Sequence, residues 1–413
     1  MWPRKQLDIG WHDLLRAVVR CLSPSDASQR AAELESSWAP AGDGLACLSV
    51  RSAFDLLLFS AGWTAGDDVL FTEATIADMP RIAAEHGLRP IPVRIDPGSM
   101  QPTIVELQRV ATDRTRALVV AHLFGSQIDM EPILRWAHDR GIFVIEDCAQ
   151  AFAGPHDRGH PESDAALYSF GLIKTATAVG GALARVRNVE LLRRMRSLQD
   201  AWPVQSRRSY GSRLLKCCGL KALSQPAVYA AFVRLCRAAR IDFDAVVHRM
   251  SRGFAGADFF HRIRHRPSAP LVGTIAARLR QFEPSVIAER THKGRLLQHL
   301  LAPQVECPAA SSSRHNFWVF PIRVAEPRHV VEVLRRAGFD ATTIAGLTTI
   351  ADSGNPAFLR PETPLQRIVY LPLSNQMPDA ELQRMAAVVM AAVAEHSANA
   401  AAPRLAPALH LGR

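Results

Sequence analysis

From residue 47 to 186 the apolar positions alternate between two spacings. Short, largely β-branched runs at 69–71, 90–95, 117–123 and 143–147 read as buried strands. Between them, apolar residues recur every three or four positions near 53–62, 75–86, 103–111 and 131–139, which predicts helices. Strands separated by helices of this length imply an α/β fold with a mainly parallel sheet built from βαβ units. Ligands of such sheets sit beyond the carboxyl ends of the strands, which draws attention to Asp147. Residues 165–170 and 181–186 read as two more strands flanking a loop that contains Lys174. A helix is predicted at 11–22, and residues 203–260, rich in Arg, Leu and Ala without strand signal, are predicted to be helical. The chain ends in a strand at 317–323, a helix at 328–337, a strand at 368–373 and a helix near 378–395. The domain reading is an N-terminal arm and helix over 1–44, a large domain over 45–204, a basic helical insert over 205–260, a smaller C-terminal α/β domain over 261–396, and a disordered tail over 397–413.

A chain of 413 residues is too long for one small core, so two lobes are expected. The charged start, Met1-Trp-Pro-Arg-Lys, lacks the apolar core of a signal peptide, which suggests a cytoplasmic protein. Its seven cysteines show no zinc-site spacing, and their odd number argues against a disulfide framework, so no metal is expected. The net charge of +10 is uneven: residues 185–295 hold 23 Lys and Arg against seven Asp and Glu, leaving the remainder acidic. Such a segment can face nucleic acid, anionic lipid, a phosphorylated substrate or solvent. Without a zinc finger, an RNA-binding aromatic signature or a basic-zipper pattern, nucleic acid is not expected as a partner. The longest charge-free run in the insert, residues 222–233, is 12 residues, short of the ~20 that span a bilayer. Arg234, Arg237 and Arg240 follow it at three-residue spacing. Two readings stay open: peripheral contact of 206–256 with the inner membrane surface, or a helical lid or dimer-packing element with solvated arginines.

Asp147 ends one strand, Lys174 follows another among small flexible residues, and Ser52 stands at a helix start. Singly, a loop lysine is usually solvated, an aspartate at a strand end usually caps a turn, and a serine there is often just an N-cap. Together they match the needs of pyridoxal phosphate: an amine for its carbonyl, a carboxylate for its ring nitrogen, and a helix N-terminus for its phosphate.

Five segments in order carry a wider resemblance. Gly66-Asp-Asp-Val69 resembles a Gly-Asp-Glu-Val motif, and Gly87-Leu-Arg-Pro90 a Gly-Ala-Lys-Pro motif. Residues 114–125 are similar to the segment before a catalytic strand. Val144-Ile-Glu-Asp-Cys-Ala-Gln150 resembles Glu-Asp-Ala-Ala-Gln, and Ser169-Phe170, Lys174 and Gly180-Gly181-Ala182 match Ser-Phe-x-x-x-Lys followed by Gly-Gly-Ala. From about 45 to 395 the chain thus resembles the pyridoxal-phosphate sugar aminotransferases of the DegT/DnrJ/EryC1/StrS family, of aspartate-aminotransferase fold (fold type I). The resemblance implies that Lys174 holds the cofactor covalently and then acts as general acid/base, that Asp147 pairs with the ring nitrogen, that Gln150 bonds the 3-oxygen, and that Ser169 binds phosphate. It puts Ser52 where a family Gly-Thr meets the phosphate, with Arg51 as an added cation. Ile76 takes the place of the ring-stacking aromatic, and Arg264 is the residue that would reach a partner subunit's phosphate. No His-bearing substrate motif is recognisable in 345–364. The implied function is transfer of an amino group from an amino acid, glutamate by analogy, to a keto-sugar or related keto acceptor in polysaccharide, glycolipid or secondary-metabolite biosynthesis, by a homodimer. Dehydratase relatives carry histidine at the lysine position, so Lys174 favours transamination. The alternatives are another fold type I reaction, such as condensation with an acyl thioester, and a non-catalytic regulatory or scaffold protein that binds the cofactor.

Overall fold

Two helices lead the chain, α1 (Trp11–Leu22) and α2 (Ala27–Trp38). Strands and helices then alternate: β1 (Gly44–Cys47), α3 (Val50–Ala61), β2 (Asp68–Thr72), β3 (Ala74–Thr75), α4 (Asp78–Glu85), β4 (Arg89–Val93), α5 (Ile104–Val110), β5 (Thr115–Ala121), α6 (Glu131–His138), β6 (Phe143–Asp147), β7 (Ala165–Ser169), β8 (Ala182–Val186) and α7 (Val189–Asp200). A helical stretch follows: α8 (Arg207–Leu223), α9 (Pro226–Ala238), α10 (Phe243–Ser251), α11 (Phe259–Ile263), α12 (Ala269–Arg280) and α13 (Pro284–Leu301). The C-terminal part contains β9 (Phe320–Arg323), α14 (Pro327–Arg336), β10 (Thr348–Thr349), β11 (Ile368–Leu371) and α15 (Asp379–Ala401). The computed structural model describes residues 1–4, 6–251, 258–344, 346–350 and 363–401.

Seven strands form one sheet in the order β1-β8-β7-β6-β5-β2-β4. Strands β4, β2, β5, β6 and β7 are parallel, while β8 runs antiparallel to both β7 and β1. This is the α/β fold expected from the alternating pattern. Side chains of β2 and β5 alternate between two cores, as a strand period of two requires. Val69, Phe71 and Val119 pack on the α3 side, whereas Leu70, Leu118 and Val120 meet Ile133 and Leu134 of α6. Burial on both faces explains why these strands read as continuous apolar runs. Each such side chain contributes about 1.5–3 kcal/mol when fully buried.

The domain boundaries differ from the sequence reading at three places. Helix α12 sends Leu271, Val272, Ile275 and Leu279 into the core shared with α1, α2 and β8, so residues 261–280 pack with the large domain. The C-terminal core begins with Leu297 and Leu301 of α13. Helix α8 buries Tyr210, Leu214 and Cys217 in the large-domain core, so the start of the basic insert is built into that domain. Helix α15 runs through 397–401 into the segment expected to be tail; residues 402–413 lie outside the described residues. The pattern also missed α2 and β1, both too short or too polar for a clear period.

Candidate functional site

A cavity of about 1120 Å³ opens beyond the carboxyl ends of the parallel strands. Asp147, Gln150, Ser169 and Lys174 line it together, with Arg51 and Ile76. Asp147 is the last residue of β6 and is buried. Among the described residues its carboxylate accepts one hydrogen bond, from Ala149 N at 3.0 Å. Burial pushes this carboxyl above the usual carboxylate range, opposed by the Ala149 amide and by the charges of Lys174, His122 and Arg51.

One residue earlier, Glu146 anchors the floor of the site. Ile128 N donates to His122 Nδ1 at 3.0 Å, so Nε2 carries the proton and donates to Glu146 at 2.8 Å. His160 N also donates to Glu146, at 2.7 Å. Burial alone would raise this carboxyl, but the His122, Ser163 and His160 interactions hold it at about 2. Cys148 comes within ligand-forming distance of this pair; burial keeps its thiol well above the ordinary value, and the His122 and Glu146 donor and acceptor atoms already bond each other.

The Lys174 loop is tightly folded. Lys174 N donates to Gly171 O at 2.9 Å, and the Thr177 hydroxyl donates to Gly171 O at 2.7 Å while accepting from Val179 N at 3.0 Å. Ala176 and Val179 have φ of 51° and 62°, a left-handed conformation costly for residues with a Cβ. The N-terminal arm braces this strain: Asp8 accepts from Ala176 N at 2.7 Å. Lys174 Nζ stands 3.9 Å from the centroid of the Trp318 ring, whose Nε1 donates to Ile173 O at 3.0 Å. Gln150 Oε1 accepts from Phe124 N at 2.9 Å, which leaves the amide NH2 as the donor end of a residue on the cavity wall.

At the opposite end of the motif set, α3 begins at the cavity. Its N-cap Ser49 accepts from Ser52 N, and Ser49, Val50 and Arg51 line the wall. Ser52 departs from expectation: it is fully buried, and its hydroxyl donates to Ile263 O at 2.7 Å. One turn of helix rotates position 52 inward and leaves Ser49 as the hydroxyl facing the cavity. Arg51 Nε donates to Asp78 at 2.5 Å across the wall. Arg264 does not line the cavity of its own protomer; its guanidinium binds Asp55 through two hydrogen bonds, at 2.9 and 3.0 Å. Reaching a partner's phosphate would require giving up that pair. The segment in which no His-bearing motif was recognised lies partly outside the described residues, while Leu347 and Thr348 from its start, and Ile344 just before it, reach the cavity.

Four contributors were not singled out from sequence: Ser49, Asp8, Trp318 and Arg290. Ser49 had a usable signal, a serine three residues before another polar residue at a helix start. The others arrive by tertiary packing from distant segments. The donor set fits pyridoxal phosphate. A buried carboxylate with a single amide partner suits a pyridinium N–H, a lysine stands in the same cavity, an amide donor is available for the ring oxygen, and a helix start with Ser49 and Ser169 is available for phosphate.

Residues 33–222 match the model of the DegT/DnrJ/EryC1/StrS aminotransferase family. A pleiotropic regulatory protein from Geobacillus stearothermophilus is 30% identical over 167 residues, covering 40% of this chain and 45% of that protein. A GDP-perosamine synthase from Escherichia coli O157:H7 is 32% identical over 133 residues, covering 32% of this chain and 36% of that enzyme. The chain therefore spans less than half the length of either relative in these matches. In fold it is similar to PseC of Helicobacter pylori, an aminotransferase involved in the biosynthesis of pseudoaminic acid, with a TM-score of 0.70 at 13% identity, covering 95% of this chain and 99% of that one. The sheet has the fold type I architecture of these aminotransferases. The matched stretch, less than half of the chain, holds the whole sheet, the start of α3, Asp147 and Lys174, so over the residues that build the site the chain is similar to the DegT/DnrJ/EryC1/StrS aminotransferase family.

Proposed function

We propose that the chain is a pyridoxal-phosphate-dependent aminotransferase that moves an amino group from an amino acid, glutamate by preference, to a keto-sugar or related keto acceptor. The observation that carries this reading is the pairing of buried Asp147 with Lys174 in one cavity, with the charge of Lys174 acting on the Asp147 carboxyl. When bound, the cofactor supplies an electrophilic carbonyl and an electron sink for the carbon that exchanges the amino group. Asp147 keeps a proton on the ring nitrogen by offering a buried carboxylate. Lys174 Nζ takes the proton from the amino-bearing carbon of the donor and returns one to the acceptor. Ser49, the first-turn backbone of α3 and Ser169 bind phosphate, and Gln150 orients the ring through its NH2. Ile76 and Trp318, which line the same cavity, would exclude water from a bound cofactor.

Purified protein supplied with cofactor should show a visible absorbance band that bleaches on addition of L-glutamate and returns on addition of a keto-sugar. Absence of any band would remove the enzyme reading. A band that ignores every amino donor would favour a binding or regulatory role, a reading supported by the loss of the family's glycine to Arg51 and by the name of the Geobacillus relative.

Homodimer assembly is part of the proposal, by resemblance to the family that residues 33–222 match. Among the described residues no helix is long and apolar enough to cross a membrane. Peripheral contact with an anionic membrane is supported by residues 201–241, which hold eight Lys and Arg and no Asp or Glu, and by Leu215, Val228 and Leu235, all exposed on α8 and α9. The lid reading is supported by Arg213, Lys216 and Lys221 of α8, which line the cavity.

A further inference from the structure

Arg290 enters the cavity from α13, outside the sheet. Its Nε donates to Asn316 O at 2.5 Å and its Nη2 to Thr175 Oγ1 at 3.2 Å. Thr175 follows Lys174 directly, and Asn316 precedes Trp318 by two residues. The guanidinium therefore ties together the two segments that bring Lys174 against Trp318. Both acceptors are neutral, and among the described residues no carboxylate lies within ion-pair distance of it. Other arginines of the same wall are paired: Arg278 with Asp8 and Asp13, Arg51 with Asp78, and Arg4 with Asp244 and Asp340.

A guanidinium has five N–H groups in a planar fork that matches a carboxylate. Two are engaged here by neutral oxygens. Burial pulls the Arg290 pKa down to about 10, with Asp8 the acidic group that acts against the fall. A cation kept there without a counter-ion is costly, and the cost is relieved when an anion arrives. His315 nearby offers no anion: burial and the charges of Arg295 and Arg290 hold it neutral, at about 3.

We propose that Arg290 is the binding residue for the carboxylate of the amino donor. The inference rests on the aminotransferase reading. Of the two reactants in that reaction, the amino acid is the one that must bring a carboxylate one carbon from the exchanging amine. A cation joined to the residue after Lys174 is placed to receive it. No bond forms or breaks at Arg290; it positions the donor and selects it over amines without a carboxylate.

The test uses the cofactor-loaded protein and glutarate, a dicarboxylate with no amine to react, with calorimetry reading its binding. Arg290→Gln should weaken glutarate binding at least tenfold while the cofactor band keeps its position and intensity. Arg290→Lys, which keeps the charge and loses the fork, should recover part of the affinity. In bleaching experiments with L-glutamate, the concentration giving half-maximal rate should rise tenfold or more in Arg290→Gln, and the response to the keto acceptor should not move. Equal glutarate affinity in wild type and Arg290→Gln overturns the proposal, as does loss of the cofactor band in both variants, which would make Arg290 a structural tie for the Lys174 loop. A wild-type protein with no cofactor band refutes the aminotransferase reading instead.

Discussion

At Lys174 an ammonium group faces an indole, and at Asp147 a carboxylate sits buried with one amide partner. The charge of Lys174 acts on the Asp147 carboxyl, against the effect of burial, and each side chain should fail in its own way. Lys174→Ala should abolish the visible band while leaving the thermal unfolding of the cofactor-free protein unchanged. Asp147→Asn should keep the band but slow bleaching by L-glutamate about 100-fold or more, measured by stopped-flow absorbance. His315 makes a separate prediction about pH. Its folded pKa, about 3, lies below the ordinary 6.5, so the unfolded chain binds a proton that the folded chain refuses between those values. Stability is then full above pH 6.5 and falls as pH drops toward 3, by at most about 1.4 kcal/mol per pH unit from this group. His315→Asn, which keeps an acceptor for Phe317 N, should show a shallower fall in urea midpoint from pH 6.5 to 4; parallel curves would refute this origin. Lys174, Asp147 and Gln150 were legible because they stand in ordered, closely spaced motifs. Trp318 and Arg290 were not, because more than a hundred residues separate them from the lysine loop and only packing brings them there. Ser52 was misread for a simpler reason: the helix was expected to start there, whereas α3 is capped by Ser49 and begins at Val50, which turns position 52 inward.

Among the elements, α3 and the irregular segment 316–319 decide how the site is held. Ser49 closes the first turn of α3, so Ser49→Ala should cost about 1 kcal/mol in urea unfolding and loosen cofactor retention together. The sequence pattern predicts a strand from Phe317, yet β9 begins only at Phe320. Asn316 Oδ1 accepts from Trp318 N at 3.0 Å, and Phe317 has φ of 47°, which turns the chain before the strand can start. Room for that turn comes from two glycines. A Cβ on Gly125 would meet Asn316 Oδ1 at 2.1 Å, and one on Gly294 would meet the Phe317 ring at 2.2 Å. Gly294→Ala should destabilise the fold by about 1–3 kcal/mol through overpacking and displace Trp318, read as reduced quenching of tryptophan fluorescence on cofactor binding. The parallel strands were legible because burial on both faces leaves continuous apolar runs. Helix α2 was not, since its serines, alanines and glutamates carry little period.

For the molecule as a whole, the uneven charge is the open quantity. Helix α8 is packed into the large-domain core, so removing 206–256 would damage the fold as well as the surface. A cleaner test changes exposed positions of α9: Arg234→Glu with Arg237→Glu should abolish co-sedimentation with anionic vesicles and leave glutamate-dependent bleaching intact, if the insert meets a membrane. Unchanged co-sedimentation, or none in the wild type, would favour the lid. The domain division was only half legible from sequence, because α12 resembles any amphipathic helix until its partners α1 and α2 are known. The central claim remains chemical and local. Cofactor-loaded protein treated with borohydride, digested and analysed by mass spectrometry should yield one peptide carrying the reduced cofactor on Lys174, and Lys174→Ala should yield none. Modification at another lysine, or no modified peptide from the wild type, would contradict the account.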